Sequence, residues 1–269
     1  MSGRSGGSTA AADGAPRALV PLAVVGGAFL VVPFVALLVR APWSDLGELL
    51  RRPIVTDALR LSLTTAFTAT GLALVLGIPL AWVLARGRFR GRSLLRSLVI
   101  LPMVLPPVVG GAALLFAFGR RGLLGGPVYD ETGFLLPFST WGVVVANLFV
   151  AMPFLVVTVE AGLRATDRRY EEAAATLGAG RWTVLRRVTL PHALPSIVAG
   201  AVLCWARALG EIGATVTFAG NLQGRTQTMP LAVFLALESD RGAAIALSLV
   251  LIVVSLLVLV PLRDRWLAA

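Results

Sequence analysis

Lysine is absent from the 269 residues, and all 24 basic side chains are arginine. Without lysine there is no Gly-Lys-Ser/Thr phosphate-binding element and no Schiff-base nucleophile, so any ATP hydrolysis must reside on another polypeptide. One cysteine, Cys204, and one histidine, His192, exclude a disulfide within the chain and a Cys/His zinc cluster. Cys204 lies in an apolar run and fits a packing role, whereas His192 follows a Leu-Pro step and reads as an interfacial residue. Charge is scarce as well: 14% of residues are charged, against about 25% in a typical soluble domain. What fills the space is apolar, with a hydrophobic fraction of 57% and a mean hydropathy of +0.85. These values predict a chain solvated by lipid. The formal charge of +10 sits in arginines that flank apolar segments and do not form one basic face, which points to membrane orientation and away from nucleic-acid binding.

Residues 1–17, rich in Gly, Ser and Ala, are expected to form a disordered tail. The run from Ala18 to Val39 is too long for a signal-peptide core of about 7–15 residues, so it reads as a first transmembrane helix that is retained. Residues 18–56 then comprise this helix and an external loop. Five further runs reach the roughly 17–25 residues that span a bilayer: Leu61 to Ala85, Ser97 to Phe118, Phe138 to Val159, Ser196 to Ala219 and Ala243 to Leu262. The expected fold is therefore an all-α membrane domain of six spans, with residues 57–269 as its main body.

Arginine placement sets the orientation. The tail, the second and fourth loops and the C-terminus hold 15 arginines, and the first, third and fifth loops hold 7. Arginine-rich loops stay in the cytoplasm, which predicts that both termini are cytoplasmic.

Two stretches carry further pattern. Within the third run, Pro102, Pro106 and Pro107 remove three backbone donors, leaving carbonyls that neighbouring helices or a water-filled path must satisfy. Either a kinked, packed helix or a broken helix lining a passage fits. The fourth loop, 160–195, contains Asp167 as a helix cap and Glu171 and Glu172 in the first turn, where they suit the helix dipole. Gly178-Ala179-Gly180 ends that helix, and a second short helix from Arg181 to Val188 leads into Leu190-Pro191. Two short helices joined by a glycine turn could read DNA. Tethering to spans at both ends instead favours docking into a groove on a soluble partner.

The order Glu172-Ala173-Ala174, three residues, Gly178, nine residues, then Val188-Thr189-Leu190-Pro191 resembles the EAA loop of ABC importer permeases, with Val188 where that pattern has Ile. The resemblance implies a type I importer permease fold in a bacterial cytoplasmic membrane, in which the loop contacts a separate ATPase. The contact would involve Glu171, Glu172, Ala173, Ala174, Gly178, Val188, Leu190 and Pro191. Two further stretches are similar to the molybdate branch of the family: Leu101 to Gly110 with Gly119-Arg120-Arg121-Gly122, and Arg207 to Thr215 running on to Leu231. From this the resemblance implies a homodimer, an ABC ATPase that carries ATP and Mg, and an extracytoplasmic oxyanion-binding protein. No cofactor is expected on this chain, and sulfate or thiosulfate stays open as the alternative cargo.

A fixed charge inside the hydrocarbon costs about 2.5–3.5 kcal/mol on insertion scales. Arg207 and Glu211, four residues apart on the fifth run, therefore form either an internal ion pair or part of a gate. Thr215, Thr217 and Asn221 offer uncharged hydrogen-bonding groups nearby, and Pro106 and Pro107 are candidate path residues. An ion-coupled secondary transporter is the rival class. It would normally show more intramembrane carboxylates or repeated broken helices, and Glu211 is the one clear intramembrane acid.

Overall fold

A computed structural model describes residues 19–267; the glycine-serine tail expected over 1–17 lies outside the described residues. Every regular element among the described residues is helical. The chain divides into two units, Met1–Ala41 and Pro42–Ala269. In the first, α1 (Leu19–Val39) is apolar on every side and buries none of its residues, as suits a helix whose solvent is lipid.

The second unit begins with α2 (Leu46–Arg51) and α3 (Pro53–Arg86), the latter opened by a proline at its first turn. At 34 residues, α3 runs to roughly 50 Å at 1.5 Å per residue, well beyond a hydrocarbon core of about 30 Å. It therefore carries Arg86 out to the level of the loops. Next come α4 (Arg92–Val104), α5 (Pro107–Phe118), α6 (Gly125–Thr132) and α7 (Thr140–Ala165), the last capped by Ser139, whose hydroxyl accepts from the Gly142 N–H at 3.0 Å. Then follow α8 (Arg169–Thr176), α9 (Arg181–Val184), a π-helical turn (Leu185–Thr189), α10 (Leu190–Leu209), α11 (Gly213–Ala219), α12 (Met229–Ser239) and α13 (Arg241–Leu267).

The centre of this unit is built from small side chains. Along α3, Ala66, Ala69, Ala73, Gly77 and Ala81 are buried at helical spacing, while Val75 and Leu76 on the opposite face are exposed. Large residues outside and small ones inside reverse the soluble arrangement and let helix backbones approach closely. A Cβ added to Gly77 would lie 2.7 Å from Leu155 Cδ2 of α7. One added to Gly200 of α10 would lie 3.2 Å from the backbone of Leu155. Replacing Gly200 by valine is accordingly expected to push α7 and α10 apart. The cost should be about 1–3 kcal/mol, as for other overpacked cores, read as a lower Tm of the purified protein.

Among the described residues, five helices are long and apolar enough to span a membrane, or six when the bent pair α4 and α5 counts as one. That pair is the proline-rich third run, and the axis turns by 118° between Val104 and Pro107. Leu105, ahead of Pro106, is extended at φ −67° and ψ 142°, the conformation that a following proline imposes. The fifth run departs from expectation. The sequence predicts one span from Ser196 to Ala219; instead α10, continuous with the turn before it, stops at Leu209, and α11 is a separate seven-residue helix. The reason lies in Gly210-Glu211-Ile212, where the chain leaves the helix and Glu211 turns back onto α11. The two short helices that follow these breaks pack on each other: Gly111 of α5 has no room for a Cβ, with Thr217 Cβ at 2.7 Å and the Ala214 carbonyl at 2.9 Å.

Candidate functional site

The loop that follows α7 is fixed by its own hydrogen bonds. Asp167 Oδ1 accepts from the Arg169 N–H at 3.0 Å, a local turn just ahead of α8; the cap position itself falls on Arg168, which makes no side-chain cap bond, so Asp167 stands one residue before the place expected of it. At the other end the Ala179 N–H donates to the Ala174 carbonyl and the Gly178 N–H to the Ala175 carbonyl, each at 3.0 Å. With Gly178 at φ +84°, this is a Schellman closure. Open space surrounds the site of a Cβ there, so Gly178→Ala should cost only the left-handed strain, about 1–2 kcal/mol. A modest fall in Tm with α8 still folded is the expected result.

The second short helix differs from the sequence reading. It was expected to end at Val188 before Leu190-Pro191. Instead α9 passes through the π turn directly into α10, and the Leu190 N–H bonds the Leu185 carbonyl. Pro191 has no N–H to complete the regular ladder, which accounts for the wider turn. Val188 is half-buried, and Leu190 and Pro191 form the first turn of α10.

The two adjacent acids of α8 face different ways. Glu171 Oε1 accepts from Arg86 Nη2 at 3.0 Å and from Thr189 Oγ1 at 3.1 Å. One carboxylate thereby ties α8 to the end of α3 and to the π turn. Glu172, about 100° further round the helix, is exposed, as are Ala173 and Gly178, and Ala174 is half-buried. Leu177, at 88% exposure, completes an uncovered small-residue face. Tyr170 stacks on His192 with ring centroids 5.2 Å apart, and His192 Nδ1 bonds the Val188 carbonyl at 2.7 Å. The interfacial histidine therefore pins α8 against α10.

The same end of the bundle is clamped by arginines. Glu160 pairs with Arg96 and with Arg164, the latter at 2.8 Å. The Leu84 carbonyl at the end of α3 accepts from Arg92 Nε at 2.8 Å and is 3.4 Å from Arg164 Nη2. Cationic side chains at carbonyl ends of helices are electrostatically favourable. Arg86, Arg92, Arg96, Arg164 and Thr189 were not singled out from the sequence. The four arginines had counted only toward orientation, and Thr189 occupies a variable position of the loop pattern.

At the far end of α10, about 30 Å away along its 20 residues, stands the second set. Arg207 Nη1 lies 2.6 Å from Glu211 Oε2, with the Glu211 side chain 1% exposed and that of Arg207 28%. Glu211 Oε1 accepts from the Ala214 N–H at 2.7 Å. The carboxylate thus neutralises a guanidinium and also holds the start of α11. Pro107 sits against Gly213, where a Cβ would lie 2.7 Å from its own, and Pro106 marks the bend between α4 and α5. Thr217 donates back to the Gly213 carbonyl at 2.8 Å. Thr215 Oγ1 is fully buried and Asn221 Oδ1 is buried too, both without a protein partner. The structure therefore brings Pro107, Glu211 and Thr217 together around α11, with Arg207 reaching in. The loop residues stand apart at the other end, joined to this set by α10.

At the opposite edge Arg52 Nη1 pairs with Asp240 Oδ2 at 3.0 Å. The Ala243 N–H and then Arg52 hold the Asp240 carboxyl below the usual carboxylate range. No cluster of three metal-ligating side chains occurs among the described residues.

A family profile described as "binding-protein-dependent transport system inner membrane component" matches residues 73–268. The molybdenum transport system permease protein ModB of Mycobacterium tuberculosis H37Rv is 49% identical over 250 residues, covering 93% of this chain and 94% of that one. ModB of Escherichia coli K12 is 42% identical, with 80% and 96% covered. The sulfate transport system permease protein CysT of the same strain is 39% identical, with 87% and 86% covered. Among solved structures, a bacterial alginate ABC transporter superposes with a TM-score of 0.70 at 18% identity, covering 92% of this chain and 91% of that one. The last comparison speaks for the fold alone.

Proposed function

The chain belongs to the binding-protein-dependent transport system inner membrane component family, and on that premise we propose that it is the membrane permease of an ATP-driven molybdate importer. It is a multi-pass inner-membrane transport subunit, not an enzyme, and it works with a separate ATPase subunit and a substrate-binding protein. The observation that carries the reading is α8: one acid fastens it from beneath while its exposed face, from Glu172 to Leu177, is left for a partner. Similarity to the two ModB proteins at 49% and 42% supports molybdate over the sulfate cargo of CysT at 39%. Tungstate shares the chemistry and is expected to follow the same route.

The finer points are part of the same proposal. ATP and Mg bind the ATPase, whose closure pushes on α8. Glu171 carries that displacement to Arg86 on α3 and to Thr189 on the π turn. Helix α10 delivers it about 30 Å on, at the break held by Arg207 and Glu211. Two copies of the chain enclose the passage, both termini are cytoplasmic, and lipid surrounds the outward-facing apolar side chains. The ion pair also suits a divalent cargo, since an uncompensated guanidinium beside the passage would hold a dianion and slow its release.

Uptake from nanomolar external oxyanion, in cells lacking this gene, tests the cargo. Molybdate accumulation should be lost with sulfate uptake intact, and the native gene should restore it. Loss of sulfate uptake instead would make sulfate the cargo, the second reading that the CysT similarity favours.

A further inference from the structure

Three cavities meet at Trp182, the first of them lined in part by the coupling residues Arg86, Glu171, Glu172 and Thr189. The first, of about 630 Å³, lies beneath α8 and is bordered by Trp82, Arg168 and Arg181. The second, of about 320 Å³, has an entirely apolar wall that includes Ile78, Val83, Leu163 and Ile197. Trp82, Trp182 and Leu185 line both, so the apolar depth and the charged mouth share one wall. The third, of about 350 Å³, is formed by Trp182, Thr183, Arg186 and Arg187.

The charges around these three cavities are unevenly matched. Glu171 is neutralised by Arg86 at 3.0 Å, which leaves Glu172 as the one acid without an ion pair there. Arg168, Arg181, Arg186 and Arg187 make no ion pair among the described residues. Arg186 instead lies 5.9 Å from the centroid of the Trp182 ring, and that ring is 67% exposed. Guanidinium groups recognise phosphate by charge-assisted hydrogen bonds, and tryptophan gathers where hydrocarbon meets headgroups. A small soluble anion would use the arginines and leave the apolar depth empty. A neutral alkyl compound would do the reverse.

We propose that this groove, between α3, α8 and the α9–α10 turn, is a binding site for an anionic phospholipid. One acyl chain enters the depth walled by Ile78, Val83 and Leu163. The phosphate is held beside Trp182 by Arg181, which lines the first cavity, and Arg186, which lines the third. The proposal rests on the reading above, in which this loop lies at the cytoplasmic membrane surface. A lipid seated there fills the space under α8 and beside the π turn, bracing the loop that receives the push of the ATPase.

The test is a titration of the purified full-length permease, in uncharged detergent, with phosphatidylglycerol and with phosphatidylcholine of the same chain length. Binding is followed through the rise in Tm that ligand binding produces. Phosphatidylglycerol should bind more tightly than phosphatidylcholine, and inorganic phosphate should give no shift. Arg181→Gln/Arg186→Gln should reduce the preference by about thirtyfold, at about 1 kcal/mol for each arginine near anionic headgroups, while the phosphatidylcholine response stays. Equal binding of the two lipids by the native protein would overturn the proposal, as would a preference unchanged in the double variant. An equal shift with inorganic phosphate would overturn it too, by showing a simple anion site. The titration is then repeated on the permease–ATPase complex. A retained preference supports the lipid, and its loss there would overturn the proposal by showing that the ATPase fills the groove. None of these outcomes depends on which ion is transported, so failure here is distinguishable from failure of the importer reading.

Discussion

Replacing Glu172 by lysine is expected to reduce molybdate uptake to background while the permease remains folded in the membrane. The side chain is exposed and makes no ion pair among the described residues, so its loss breaks no ion pair within them. What is lost within the chain is a favourable charge in the first turn of α8, worth about 0.3–1 kcal/mol. Across an interface, by contrast, placing a charge of the wrong sign costs several kcal/mol, which is two decades or more in affinity. Glu171 should behave in the opposite way. Glu171→Ala strips the partner from Arg86, whose side chain is 9% exposed, and from Thr189. It should lower Tm and loosen the loop even with no ATPase present. The two variants thus separate docking from fastening. If Glu172→Lys transports normally, or if it destabilises the isolated permease as much as Glu171→Ala, the assignment of faces on α8 is wrong.

The second large effect belongs to the ion pair. Glu211→Ala removes the ion-pair partner that Arg207 has among the described residues and the acceptor of the Ala214 N–H. Breaking a buried pair from one side costs about 3–5 kcal/mol. The value here should fall toward the lower end because Arg207 retains 28% exposure. Glu211→Gln keeps an oxygen for Ala214 and removes only the charge. It should fold better than the alanine variant yet transport poorly, because Arg207 is then uncompensated beside the passage. Arg207→Met/Glu211→Gln should recover stability relative to Glu211→Gln, since neither charge is then left unpaired. A double-mutant cycle on Tm and on uptake measures both couplings. Normal uptake with normal ATPase coupling in Glu211→Gln would remove the pair from the transport route and leave it as a brace for α11.

These two sites differ in how far the residues alone reveal them. Lipid imposes long apolar runs, so the spans could be read directly, and the chain pattern around Glu172 and Gly178 placed the loop between them. The break at Gly210-Glu211-Ile212 was not legible, because Arg207 and Glu211 stand four residues apart as a pair on one continuous helix would, and only the turn of Glu211 onto Ala214 reveals the interruption. Helix α12, at 11 residues, is too short to register as a span. Its first residue is held by a single long-range bond, from the Met229 N–H to Ser62 Oγ at 2.7 Å. The role of Arg86 was hidden for a similar reason. Orientation arguments treat loop arginines as interchangeable, whereas the length of α3 carries this one beneath α8.

Vesicles containing the permease with its ATPase, loaded with ATP and given molybdate and the binding protein outside, test the central claim most directly. The account predicts accumulation that requires both internal ATP and the binding protein, and that Glu172→Lys abolishes. Accumulation driven by an ion gradient without ATP would contradict it and make the chain a secondary transporter.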